Sequence, residues 1–537
     1  MFIEETTYKA LHLELIFEKL QPVSALGLKA KQNSLPFFSG DEALANEAYE
    51  KIAFVINQLK IQPNAITALR DILLHFHNIE LILRKVNDNA VLELFELQEI
   101  KHFLYFFLQL NKQLQAFGLQ PLPHAQKLTG LFSLLAPGNQ NTPSFFLHDS
   151  YSDNFTSTKR GIEILENTLQ KELKRLSEKA AKLLDKKIVP EEIVVSRFQK
   201  DIVETLFQND LFYLKSENFA NYCFGLRKNE TMIECEQKID LLREKLTIFE
   251  AEIRKNLTRE VSNSLKDLID SQKKIGEFDW NLAKANFAIS FGCSIPKVTT
   301  EKEYHLPQAR NLPIAWELEA KSFAYQPVSM TIENQLNVLT GANMAGKTTL
   351  LKMLGQIQFL AAFAIPVPTE NARLPLVDFI FFSGLYEERM DLSSFGTEIV
   401  MLQEKMKKDG FGLFLIDEFA RGTNPAEGEA ISKAILEEFS KKNCVTIFST
   451  HFHAPTTVLT TNHYQIVGLT EKDISLIKKE TKKDLSERLK QLHQFMNYDV
   501  IKVSPQTEPP RAALLVAELL GVDEHIIKKA YQFLEDK

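Results

Sequence analysis

Through the first 150 positions, apolar residues recur without the strict alternation of a strand. Leu, Phe, Gln and Glu are dense there, and breakers fall near Pro63, Gly118, Pro121, Pro137 and Gly138. That texture predicts a helical segment. From Ile162 onward the apolar positions Leu165, Leu169, Leu173, Leu176, Ala180 and Leu183 step by three and four, one stripe along a long helix. A second series runs Ile239, Leu242, Leu246, Phe249, Ile253, Leu257, Val261, Leu265 and Leu268. Both stripes have charged outer faces, which predicts an antiparallel pair or a coiled-coil-like arm, with a plain helix-bundle core as the alternative. Short mixed runs at 193–195 and 222–226 predict strands of a small insertion between them, spanning 187–235.

From about residue 300 the pattern changes to short β-rich runs alternating with helices, as in an α/β domain with a largely parallel sheet. Candidate strands are 336–340, 379–383, 413–416 and 445–449; 511–537 reads as helical with a break at Gly521. The expected fold is therefore multi-domain: an all-α core over 1–155, long lever-like helices over 156–300, and a C-terminal α/β domain over 301–537.

Composition narrows the class. A length of 537 residues exceeds what one hydrophobic core supports, and 45% hydrophobic with 25% charged residues is ordinary globular usage. The formal net charge of −7 supplies no global positive field toward nucleic acid or an anionic membrane, so any such contact needs a local patch. Cys223, Cys235, Cys293 and Cys444 show no CxxC pairing and no His at metal-ligand spacing, which fits a reducing, cytoplasmic setting. The opening MFIEETTYK lacks the charge and apolar pattern of a secretory signal, and the most apolar run, 359–367, is too short to span a bilayer. No membrane association is expected.

Three elements carry chemistry. Gly341-Ala342-Asn343-Met344-Ala345-Gly346-Lys347-Thr348 matches GxxxxGK[ST], follows an apolar strand and, through Thr349, opens a helical run. In that context backbone N–H groups turn around phosphate oxygens at the positive end of a helix. Lys347 can then reach the β- and γ-phosphates of ATP, and the Thr348 hydroxyl can ligate Mg²⁺. The second element, Leu413-Phe414-Leu415-Ile416-Asp417-Glu418, ends an apolar strand in two carboxylates. Asp417 suits the metal, and Glu418 suits orienting or deprotonating the attacking water. Alone, it would be an acidic turn after a buried strand. Third, Ser449-Thr450-His451 ends another apolar run, where His451 can sense the γ-phosphate. All three sit at strand ends, where open α/β sheets bind ligands, so together they predict a Mg²⁺-dependent ATPase.

These residues resemble the MutS-type mismatch-repair ATPases, in the ABC-like branch of P-loop proteins. GANMAGKTTL is similar to that family's GPNMGGKST loop, with Ala342 and Ala345 replacing a Pro and a Gly. LIDEFARGTNPAEG resembles its DE-x-x-RGT segment, which places Arg421, Gly422, Thr423 and Asn424 on a loop facing a partner subunit; STHFH resembles its TH switch. Leu392-Ser393-Ser394-Phe395-Gly396-Thr397-Glu398 resembles the STF-x-x-E signature. That resemblance implies that Ser393 or Ser394 reaches the nucleotide of the opposite subunit, hence a homodimer. LLVAELLGVDEHIIKKA is similar to the family's closing dimerisation helices, and Gln308-Ala309-Arg310 to the motif opening its ATPase domain. The close likeness covers about 279–537. No counterpart of the family's N-terminal Phe-x-Glu wedge is found, so the likeness is to members without the mismatch-recognition domain.

Two functions follow from the resemblance. In the first, the helices and their tip form an ATP-gated clamp on double-stranded DNA that is mismatched, branched or recombining. In the second, they grip a protein and ATP drives its remodelling, as in MutS-like ATPases linked to reactivating a cobalamin-dependent lysine aminomutase. Arg197, Lys200, Lys215, Arg227 and Lys228 lie in the insertion, among Glu191, Glu192, Asp201 and Glu204. A solvated mixed-charge face is the plain reading of that set.

Overall fold

The computed structural model describes residues 2–138, 141–185, 192–333, 335–342, 345–384, 394–420, 423–458, 460–469, 495–507, 513–519 and 521–535. The chain divides into two compact units. One comprises 1–74, 113–120 and 273–537; the other comprises 75–112 and 121–272.

In the second unit the helix Asp153–Leu184 runs antiparallel to the helix Glu230–Asn263. Asn229 is bonded to Glu172, and Arg243 to Glu166. Along the two helices Leu176, Ala180, Ile239, Ile253, Leu257 and Val261 are buried. The stripe expected to continue through Leu268 crosses a helix break. Ser264 donates its N–H to the Val261 carbonyl three residues back, closing the last turn, and its own carbonyl starts the next helix, Leu265–Phe291. Val261 and Leu268 are both buried across the join, so periodicity alone does not mark the break.

Between the two long helices lies a small sheet of β1 (Ile193–Ser196), β2 (Phe212–Glu217) and β3 (Asn221–Leu226), in the order β1-β3-β2 and antiparallel throughout. Its inner face, with Ile193, Val195, Phe212, Phe224 and Leu226, closes over Leu176, Ala180, Leu184 and Met232 at the ends of the long helices. The sequence gives no sign of β2, because only its first residue is buried and the rest is exposed.

The first unit holds two sheets. The smaller contains β4 (Lys297–Thr299), β5 (Tyr304–Ala309), β6 (Val328–Ile332) and β8 (Arg373–Pro375), in the order β4-β8-β5-β6. The larger contains β7 (Leu336–Thr340), β9 (Phe379–Ser383), β10 (Gly412–Asp417), β11 (Cys444–Ser449), β12 (Asn462–Gly468) and β13 (Asn497–Val503), in the order β13-β12-β7-β11-β10-β9. Every neighbouring pair in it is parallel except β12 with β13. Strands β7, β9 and β11 are buried at every position, which explains their near-continuous apolar sequence.

The helix Lys347–Ala362 is buried almost all round. Its inward Gln358 is satisfied, donating to the Pro375 carbonyl while accepting from Tyr304, and Gln356 donates to the Leu11 carbonyl. At the far end of this helix the buried Lys284 amine donates to the Phe363 carbonyl at 2.8 Å. The N-terminal residues also join this unit. Ile3 makes a parallel bridge to Ile380 of β9, and Leu11 closes on Gly355, where an added Cβ would lie 2.7 Å from the leucine. Among the described residues no helix is long and apolar enough to cross a membrane.

Candidate functional site

Register fixes the site. Asp417 ends β10 opposite Ser449 of β11, and Ser449 lies opposite Leu339 of β7, so three strand ends converge at one edge of the sheet. Beyond β7 the chain turns through Gly341 and Ala342 and enters the helix at Lys347; Asn343 and Met344 lie outside the described residues. Gly346 caps that helix at φ +91°, in the left-handed region. The left-handed demand thus falls on the residue without a Cβ. Gly346 also has little room, because an added Cβ would meet Cδ1 of Tyr498, from β13, at 3.3 Å.

Lys347 turns back over the loop, its ammonium donating to the carbonyls of Gly341 at 2.9 Å and Ala342 at 3.4 Å. It is 5% exposed and lies 3.3 Å from Glu418 Oε1, whose side chain is 18% exposed. Thr348 Oγ1 donates to Asp417 Oδ2 at 2.6 Å, and Ser449 Oγ donates to Asp417 Oδ1 at 2.7 Å. Both oxygens of Asp417 are therefore held, one from each flanking element. The Thr349 carbonyl accepts from Asn311 Nδ2 at 3.1 Å, tying the first helical turn to the segment before β6.

The turn after β10 is strained. Glu418 and Ala420 have φ of +48° and +64°, which costs a residue with a Cβ roughly 1–2 kcal/mol each. Three contacts hold it. The Glu418 N–H donates to both the carbonyl and the hydroxyl of Ser449, at 3.1 Å each. Phe419 is buried against Phe395 and Phe448. The Ala420 N–H donates to Glu398 Oε2 at 3.4 Å, while Glu398 Oε1 accepts from Ser383 at 2.8 Å. Burial raises the Glu398 carboxyl above the ordinary range; its two hydrogen bonds oppose that, and the nearby Asp417 charge adds to it.

Glu398 was visible in sequence only as one letter of a motif, with no role attached. Here it joins the helix Ser394–Met406 to the ends of β9 and β10. Lys352 is a second residue that sequence reasoning passed over. It lies one turn beyond Thr348, 3.1 Å from His12, and burial lowers its ammonium pKa against the attraction of Asp417. His12 is 340 positions away in the chain, so no local signal could have joined them. Buried His463 bridges Thr340 Oγ1, at 2.7 Å, and the Ser504 carbonyl, at 3.1 Å, and burial keeps its pKa low.

His451 follows β11 as expected. It is exposed, with its ring 4.2 Å from that of Phe452, while Thr450 is buried and accepts from the Phe452 N–H at 2.9 Å. Asn424 caps the helix Pro425–Phe439 through the Ala426 N–H. Ser393, Arg421 and Gly422 lie outside the described residues; Ser394 is the first residue of its helix. Among the described residues no group of three His, Cys, Asp or Glu side chains is arranged to hold a metal ion.

This strand-end edge lies in the part of the chain that matches a known family. The profile of MutS domain V covers residues 337–536. The DNA mismatch repair protein MutS of Thermotoga petrophila is 25% identical over 480 residues, spanning 87% of this chain and 56% of that protein. Endonuclease MutS2 of Aquifex aeolicus is 27% identical over 484 residues, 86% of this chain and 58% of its own length. Endonuclease MutS2 of Finegoldia magna is 30% identical over 317 residues, 55% of this chain and 36% of its own length.

The chain belongs to the MutS family. Domain V is the ATPase domain of MutS proteins, and all the residues of the strand-end edge from Asn337 onward fall inside its match. His12, Asn311 and Tyr325 are additions from outside it. Tyr325 Oη accepts from the Asn311 N–H at 2.9 Å, and Asn311 in turn holds Thr349. This MutS-family chain spans about half the length of these MutS and MutS2 relatives, 56% and 58%.

Proposed function

We propose that this chain is a Mg²⁺-dependent ATPase that works as a homodimer and whose hydrolysis cycle gates its hold on double-stranded DNA, mismatched, branched or recombining. The observation that carries the ATPase reading is the meeting of Lys347 with Glu418 and of Thr348 with Asp417 at adjacent strand ends. The Thr348 hydroxyl and Asp417 carboxylate are hard oxygen donors 2.6 Å apart, a set that suits Mg²⁺. When bound, Mg²⁺ would neutralise charge on the phosphate oxygens.

This chain's own residues do the rest. Lys347 exchanges its carbonyl acceptors for phosphate oxygens, which bind an ammonium more strongly. Gly346 lets the backbone N–H groups face those oxygens at a helix N-terminus. Glu418, close to Lys347 and held on a rigid turn by Ser449 and Glu398, orients the attacking water and takes its proton. Once ATP draws Lys347 away, the Glu418 carboxylate is left as the base.

Phosphoryl transfer spreads negative charge over the γ-phosphate, and Lys347 with Mg²⁺ meets it from one side only. Ser393 or Ser394, the latter opening the helix Ser394–Met406, supplies the opposite side from the partner subunit. A Lys347→Ala subunit mixed with a Ser393→Ala, Ser394→Ala subunit, each inactive alone, should regain about half-site activity, because one intact composite site forms per heterodimer. Absence of rescue, or a fully active monomer, overturns the composite site.

The DNA target rests on the relatives named as mismatch repair proteins. Filter binding of homoduplex, mismatched and four-way DNA, with and without ATP, tests it; equal, weak, nucleotide-independent retention of all three overturns it. One observation favours remodelling of a protein partner instead. At the insertion Arg197, Lys215 and Lys228 are paired with Glu217, Glu192 and Glu236, which leaves little positive charge for phosphates.

A further inference from the structure

The small sheet at the end of the two long helices exposes aromatic rings where folded proteins rarely do. Phe198 is 90% exposed and Phe219 is 105% exposed, the side chain of each standing in solvent. Both sit on turns, Phe198 just after β1 and Phe219 between β2 and β3. The two turns are joined, since the Arg197 N–H donates to the Ala220 carbonyl at 2.9 Å.

Each turn is also fixed internally. Asn218 Oδ1 accepts from the N–H groups of Ala220 and Asn221, at 3.0 and 2.7 Å, and the Gln199 N–H donates to the Ser196 carbonyl at 3.0 Å. The Arg197 guanidinium lies 4.4 Å from the centre of the Tyr222 ring and is bonded to Glu217 at 2.6 Å. The phenylalanines are thus carried on two linked turns whose backbone is pre-formed, so contact need order only their side chains. Val194, Phe207 and Tyr213 add further exposed apolar surface.

Charge decides what such a tip can hold. Over 192–229 the cations are Arg197, Lys200, Lys215, Arg227 and Lys228, and the anions are Glu192, Asp201, Glu204, Asp210 and Glu217, so the segment is neutral. Three of the five cations are already paired, Arg197 with Glu217, Lys215 with Glu192 and Lys228 with Glu236. Nucleic acid, single- or double-stranded, is gripped by unpaired Lys and Arg that displace counterions, with stacking as an addition. A neutral surface presenting two exposed aromatic rings on fixed turns matches a protein interface instead, where buried rings supply the energy and charge is depleted at the centre.

We propose that this tip is a docking knob for a protein partner, with Phe198 and Phe219 entering an apolar recess whose rim carries little net charge. The inference stands on the tip alone and holds whether or not the ATPase reading does.

The test places p-benzoyl-phenylalanine at 198 or 219 of the full chain in the cells that produce it, with the same residue at exposed position 234 as control. A protein cross-linked from both tip positions and not from 234 is identified, purified and titrated against the full chain. Phe198→Ser with Phe219→Ser should weaken that binding at least ~30-fold, as for two hot-spot residues. Lys200→Ala with Arg227→Ala, or a rise in salt from about 0.1 to 0.5 M, should change it less than ~3-fold. Because both rings stand in solvent, the serine pair should keep the wild-type circular dichroism and ATP turnover, which separates lost docking from lost folding. Cross-links to DNA or RNA overturn the proposal, as do cross-links only to a second copy of the chain, no tip-specific cross-link, or binding indifferent to the serine pair.

Discussion

Gly346 and Ala345 make opposite demands on the loop, and substituting each tests the local account. Gly346→Ala forces a Cβ onto a residue at φ +91°, where an L-residue pays roughly 1–2 kcal/mol. The new methyl would also meet the Tyr498 ring at 3.3 and 3.5 Å, so the ring must give way by a few tenths of an ångström, a further cost of up to about 1 kcal/mol. The sum is about 1–3 kcal/mol against the loop conformation that presents its N–H groups. If that conformation is the one that binds nucleotide, affinity falls about 5- to 150-fold at tenfold per 1.4 kcal/mol.

Ala345→Gly predicts the reverse logic. Ala345 is buried and the left-handed demand falls on Gly346, so removing the alanine methyl should relieve no strain, leave a small void and loosen the backbone. Nucleotide affinity should stay level or fall a few-fold. Equilibrium titration of a fluorescent ATP analogue with Mg²⁺, on wild type and both variants, reads both effects. Wild-type affinity in Gly346→Ala, or a several-fold gain in Ala345→Gly, refutes the reasoning.

Thr348→Val keeps the shape of the side chain but removes the hydroxyl that donates to Asp417. The Mg²⁺ concentration for half-maximal ATP turnover should rise about tenfold or more, and an unchanged requirement counts against Thr348 as a metal ligand. Lys284 bears on pH. Burial lowers its ammonium pKa from 10.5 to about 7, so between those values the unfolded chain holds a proton that the folded chain has released. Wild-type stability from this group therefore decreases as pH falls from about 10.5 toward 7, by about 1.4 kcal/mol per unit, and levels off below 7. Lys284→Met removes that dependence. Denaturant midpoints followed by tryptophan fluorescence at pH 7.5 and 9 should diverge between the two proteins; the lysine lies 4.9 Å from the Trp280 ring. Parallel midpoints contradict the buried neutral amine.

The strands of the large sheet were legible because burial on both faces writes an apolar run. Expected strands at 336–340 and 379–383 coincide with β7 and β9, and those at 413–416 and 445–449 fall within β10 and β11. The helix break at Ser264 was hidden because its apolar stripe continues on both sides. Strand β2 was hidden for the opposite reason, since an exposed edge strand needs no apolar pattern. At the site, adjacency in sequence revealed the loop and the Asp417-Glu418 pair. The links of Glu398 to Ser383, Lys352 to His12 and Asn311 to Thr349 depend on tertiary register, which no periodicity encodes. The left-handed backbone at Glu418 and Ala420 was equally invisible, because neither residue type announces positive φ.

The most direct test of the central claim is ATP turnover and ATP binding measured side by side in Glu418→Gln. The glutamine preserves the shape of a side chain now 3.3 Å from Lys347 and removes only the carboxylate that serves as base. Affinity for ATP with Mg²⁺ should equal or exceed that of wild type, because Lys347 loses a competing anion, while turnover drops at least ~100-fold. Turnover near the wild-type rate in Glu418→Gln, with binding intact, would contradict the assignment of this strand-end edge as a hydrolytic site.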